Sequence, residues 1–199
     1  VTLGVMLHEF GWGHTDWDKL SAGTLAGHLV ECGAQCTGGL FTDWDTVPDW
    51  ENIGFPIVEA SADGSFVVTK PPGTGGLVSV PTVAEQLLYE IGDPRAYLVP
   101  DVTCDFTGVR FEQVGENRVR VSGARGRAPT PTYKVSATFA DGFRNTAFLT
   151  IGGAQAVQKA RRTGETILAR TTKMLADQGM APYSESRIEV VGGEDMFGA

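Results

Sequence analysis

Apolar residues near the N-terminus recur at helical spacing. Residues 1–10 read as the tail of an apolar helix stopping at Gly11-Trp12-Gly13. A second helix starts with Thr15 as its N-cap, with Asp16 and Asp18 against the positive end of the dipole. Its pattern runs to Cys36 and stops at Gly38-Gly39. Between Leu20 and Cys36 its only ionisable side chains besides thiols are His28 and Glu31, which predicts burial on most sides. Residues 40–56 form an irregular loop rich in Asp and Trp. Ile57–Ala60 and Ser65–Lys70 then predict a hairpin closed near Asp63-Gly64. Pro71–Gly76 is a loop, and Thr82–Ile91 is a helix opened by the box Thr82-x-x-Glu85 and ended by Asp93-Pro94.

Further on the period changes to two. Val109 and Phe111 alternate with polar residues, as do Val119 and Val121, across a Gly115-Glu116-Asn117 turn. Tyr133–Ala140 and Phe143–Ile151 flank Asp141-Gly142 as a second hairpin. A helix over Ala154–Gln178, capped by Gly179, and a last strand over Arg187–Val191 complete the pattern. The expected fold class is α+β, with antiparallel hairpins covered by helices and a split β-α-β-like C-terminal lobe. Two lobes are expected, 1–105 and 106–199, packed as one domain that is incomplete at both ends. The chain opens on Val1 rather than Met, so it reads as a fragment of a larger α/β protein.

Charge sharpens the division. The net charge is −8. Residues 1–105 carry 15 acidic and 3 basic side chains, net −12, and residues 106–199 carry 9 and 13, net +4. The basic half can face an anionic ligand or balance the acidic half. Overall acidity argues against a nucleic-acid partner, and no run is long and apolar enough to predict a membrane helix. Three cysteines, two of them inside a helical pattern, do not make a secreted disulfide framework, so a cytoplasmic location is expected.

Candidate chemistry falls in three places. Thr24, His28, Glu31 and Gln35 lie at spacings of four, three and four, on one face of a continuous helix. Buried polar groups must be paired, either with each other or with a ligand, so His28 and Glu31 are the candidate acid–base pair. Lys70 leads into Pro-Pro-Gly-Thr-Gly-Gly76, where Gly73, Thr74, Gly75 and Gly76 offer backbone N–H groups and a hydroxyl to an anion. Arg125, between Gly123 and Gly126, is placed to hold a carboxylate or phosphate. Together they predict a small anionic substrate held by Lys70, Thr74 and Arg125 beside His28 and Glu31. No metal or cofactor is expected: His28, Cys32 and Cys36 are too spread along a helix to share one ion, and His8-Glu9 with His14 has the wrong spacing for a zinc protease motif.

Several ordered runs make a more specific pattern. They are His8–Trp12, Ala26–Gln35 with Thr37-Gly38-Gly39, Gly54–Ile57, Lys70–Gly76, Gln86–Ile91, Pro100–Val102 and Arg120–Arg125. Together they resemble the acyclic terpene utilisation family over about Val1 to Gly192, in the later part of its large N-terminal domain. The resemblance implies an upstream α/β segment in the parent protein and a role in terpene catabolism, beside acyl-CoA enzymes as possible partners. It implies His28, Glu31, Cys32, Gln35, Lys70, Thr74 and Arg125 as site residues. Cys36 departs from the family pattern, where a small apolar residue is usual. The implied activity is a catabolic enzyme acting on a small carboxylate or acyl-CoA-type substrate. The alternative is a non-catalytic subunit presenting an acyl intermediate to a partner enzyme.

Overall fold

The computed structural model describes residues 1–193. The chain divides into two compact units, Val1–Ser136 and Ala137–Ala199. In the first unit, helix α1 (Thr2–Phe10) ends at Gly11 in the left-handed conformation, as its sequence predicts. Helix α2 (Trp17–Leu29) starts one residue later than expected, with Asp16 at the N-cap position. It also ends earlier than expected. Gly33 takes φ +66°, a left-handed value that breaks the α-helical path. The chain continues as a 3₁₀ turn over Gly33–Thr37 closed by Gly38.

The first hairpin pairs β1 (Ile57–Ala60) with β2 (Phe66–Thr69) antiparallel. Helix α3 (Val80–Leu88) is capped by Ser79 rather than Thr82. Thr82 is the reciprocal member of that box, and Pro81 sits in the first turn, where a missing N–H costs nothing. Glu85, the expected box partner, instead accepts the N–H of Thr42 at 3.1 Å. Ser79→Ala should therefore lower stability by about 1 kcal/mol, read as a reduced urea midpoint, while Glu85→Gln leaves the helix start intact.

Two sheets complete the first unit. One has the order β1-β2-β6-β5, with β5 (Arg110–Gly115) and β6 (Arg118–Ser122) forming the hairpin predicted across the Gly115-Glu116-Asn117 turn. The other, β3-β4-β7, joins Tyr97–Leu98, Thr103–Asp105 and Arg125–Arg127. Strands on either side of residue 105 pair in both sheets. The charge halves meet in the same way, through Arg118–Glu59 and Arg125–Asp18. Helix α2 packs against α1, α3, β4 and β7. Leu20, Leu25 and Leu29 from its inner face join Phe66, Val68, Val83, Val102, Val119 and Val121 in one core.

Several carboxyls lie below their ordinary values. Glu59 is held down by the Arg118 guanidinium, Asp63 by the Ser65 hydroxyl and N–H, and Asp105 by those of Thr107. A depressed folded-state value adds stability above the unfolded value, and that stability is lost as pH falls through the folded one. The melting temperature should thus fall on acidification below about pH 4–5, where unfolded carboxyls begin to bind protons. A melting temperature that rises between pH 5 and pH 3 would contradict these contacts.

The second unit departs from expectation. Helix α4 (Ala156–Asp177) forms as predicted, but no strand forms over 133–140, 143–151 or 187–191. The split β-α-β lobe is therefore represented only by its helix within the described residues. The physical reason lies in pairing: alternation favours a strand only where a partner edge and a core receive it. In these runs Phe139, Phe143 and Phe148 remain exposed.

Candidate functional site

The break after α2 decides where the polar stripe goes. Thr24 and His28 stay on α2, Glu31 and Cys32 fall in the turn that follows, and Gln35 lies buried in the 3₁₀ turn. The four polar positions therefore do not share one helix face. Thr24, Gly27, His28 and Glu31 line a cleft of about 530 Å³ together with Glu90, Tyr97, Leu98 and Lys134.

His28 is fixed from one side. Its Nε2 lies 3.0 Å from the carbonyl oxygen of Gln86 and 3.3 Å from that of Leu87. Carbonyl oxygens only accept, so Nε2 carries the hydrogen and donates to both. These carbonyls belong to the last turn of α3, and that of Gln86 also accepts the Tyr89 N–H at 3.2 Å. The Gln86 side chain returns the contact, donating from Nε2 to the His28 carbonyl at 2.9 Å. The ring of Tyr97 stands 5.9 Å from that of His28.

Glu31 accepts the S–H of Cys32. That bond, followed by desolvation and the nearby Glu31 and Glu90 charges, raises the Cys32 thiol above its ordinary value. Burial pushes Cys36 up to about 12 and raises Cys104. All three thiols stay protonated near neutral pH, so Cys32 serves Glu31 as a hydrogen-bond donor rather than acting as a thiolate. Tyr97 is likewise raised, first by burial and then by Cys104, Glu31 and Glu90.

The expected anion holders lie apart from this cleft; none of Lys70, Gly73–Gly76 and Arg125 lines it. Lys70 donates Nζ to the carbonyl of Thr74, and the Thr74 hydroxyl donates to that of Pro71 at 2.7 Å. The N–H groups of Gly75 and Gly76 donate to the carbonyls of Asn52 and Pro48, each at 2.9 Å. The Gly-rich turn thus spends those donors on holding the 48–54 segment. Arg125 donates to Asp18 at 3.1 Å, and the same carboxylate accepts the Gly126 N–H at 2.9 Å. The single pocket expected for His28, Glu31, Lys70 and Arg125 is therefore not formed, because the Thr74 carbonyl and the Asp18 carboxylate already engage the two cations.

Glu90, Tyr97, Leu98 and Lys134 were not singled out from the sequence. Tyr97 and Leu98 form a two-residue strand, too short to leave a period, and Lys134 lies in an extended run without strand pairing. Glu90 had a usable signal, since it lies within the Gln86–Ile91 run just after α3.

The model for acyclic terpene utilisation family protein AtuA matches residues 1–196. The chain belongs to the acyclic terpene utilisation family. No curated protein and no solved structure matches it. Two of the runs that carry the family resemblance supply walls of the cleft. Ala26–Gln35 brings Gly27, His28 and Glu31, and Gln86–Ile91 brings Glu90. No helix among the described residues is long and apolar enough to cross a membrane.

Proposed function

We propose that this family member is a cytoplasmic catabolic enzyme that moves a proton on a small carboxylate or acyl-CoA-type substrate. In this reading His28 is the proton acceptor and Glu31 its acidic partner at the mouth of the cleft. The observation that carries it is the attachment of His28. His28 lines the cleft while its Nε2–H is committed to Gln86 and Leu87, which leaves Nδ1 with the lone pair. Lys134 takes the anion-holding role given above to Lys70 and Arg125, since it lines the cleft and has no ion-pair partner among the described residues. Tyr97, held protonated, is a neutral donor beside it.

The test uses cells that grow on an acyclic terpene alcohol through the full-length protein. A general base contributes typically 10²–10⁴-fold in rate. His28→Ala should therefore slow growth to the level of the gene deletion and accumulate the same carboxylate or thioester. A folded His28→Ala protein that sustains ordinary growth would refute the proton-transfer role. That outcome would favour a subunit presenting an acyl intermediate to an acyl-CoA enzyme.

A further inference from the structure

The geometry points to Gln86 as the positioning residue that holds His28 in a single tautomer, so that proton exchange takes place at Nδ1 alone. This rests on the reading of His28 as a proton acceptor.

Gln86 meets His28 in both directions. Its main-chain carbonyl oxygen, which any side chain at 86 would keep, accepts from Nε2 of the ring, and its side-chain amide donates to the His28 main-chain carbonyl. The ring and the main chain of one residue are thereby tied to one position on α3. With the hydrogen fixed on Nε2, the neutral ring accepts a proton at Nδ1 and the imidazolium returns it from Nδ1. The bonds to Gln86 and Leu87 survive both states, because Nε2 keeps its hydrogen throughout. Nδ1 has no partner among the described residues and remains available to a bound molecule.

The cost of Gln86 is informative. The side chain is fully buried, and its Oε1 has no hydrogen-bond partner. The amide cannot simply be turned over, since Oε1 would then face the His28 carbonyl oxygen. That carbonyl already accepts the N–H groups of Val30 and Glu31. It does not need Gln86 to be satisfied. An apolar side chain of similar length would remove an unpaired buried oxygen without orphaning any group, so fold stability gives little reason for a glutamine here. Positioning of His28 does give one.

The alternative is that His28 merely caps the end of α3. The two roles differ in what they move. A cap affects stability, whereas a positioning residue affects the ring. The experiment is long-range ¹H–¹⁵N NMR of the full-length protein at a pH where the His28 ring is neutral, with the signal assigned by its loss in His28→Gln. The wild-type ring should show the Nε2–H form over the Nδ1–H form by about tenfold or more, the ratio one net hydrogen bond sustains. In Gln86→Leu the Nε2 hydrogen should exchange with solvent at least about tenfold faster, while the urea midpoint stays close to that of the wild type. An Nδ1–H tautomer in the wild-type protein overturns the proposal whether or not the variant folds. So does a Gln86→Leu ring that is indistinguishable from the wild type, or a variant whose only change is lost stability. Failure of the base role appears separately, as ordinary growth with His28→Ala.

Discussion

Gly75→Ala is expected to destabilise the Val1–Ser136 unit by about 3 kcal/mol or more, at the upper end of what overpacking costs. A Cβ on Gly75 would stand 2.0 Å from the main-chain oxygen of Asp49 and 2.9 Å from its carbonyl carbon. Backbone cannot rotate aside as a side chain can. The segment it would displace is held by the Gly75 and Gly76 N–H groups and by the parallel bridge between Ile53 and Gly75. Gly73, two residues away, is the control. It has φ +75°, yet a Cβ there would meet nothing within 4 Å. Gly73→Ala should cost only the strain of a left-handed alanine, about 1–2 kcal/mol. If these glycines mainly let an anion approach the backbone, both substitutions would impair ligand binding with little difference in stability. Urea titration of the two variants decides it: similar midpoints would mean that close approach to Asp49 does not define the turn.

This contrast shows what was legible in the sequence and what was not. Elements with strong local signals were readable. The β1–β2 and β5–β6 hairpins follow from alternation and turn residues, α1 and α4 from period and a closing glycine, and α3 from period alone, its cap being Ser79 and not Thr82. Features decided by distant contacts were not. In sequence Gly33 belongs to a continuous helical pattern, because a glycine there does not announce a left-handed φ. The β3-β4-β7 sheet is built from strands of two or three residues, each given its place by its partner. The fate of a polar group is equally non-local. Arg125 has the loop setting of an anion binder, but Asp18, 107 residues away in sequence, reaches it first. His28 was legible as a candidate because a polar residue on an apolar helix must find partners. That its partners are the end of α3 required the fold.

Leu25→Ala carries the other large expected effect. Leu25 is fully buried on α2, the helix that touches α1, α3, β4 and β7 and also brings His28 to the cleft. Truncation removes the transfer energy of the lost methyl groups and leaves a cavity that fixed neighbours cannot close, about 2–5 kcal/mol in all. A domain of this size is stable by only about 5–15 kcal/mol, so at the middle of both ranges about a third of the margin is at stake. Thr24, the adjacent residue, is half-buried, bonds locally to the Leu20 carbonyl at 2.9 Å and lines the cleft. Thr24→Ala gives up that bond and the hydroxyl's contact with the Cys104 thiol and should cost about 1 kcal/mol. The pair therefore separates two faces of one helix by their energetics. If Leu25→Ala and Thr24→Ala show equal urea midpoints, α2 is not the element around which the core is packed, and the placement of His28 by that core fails with it.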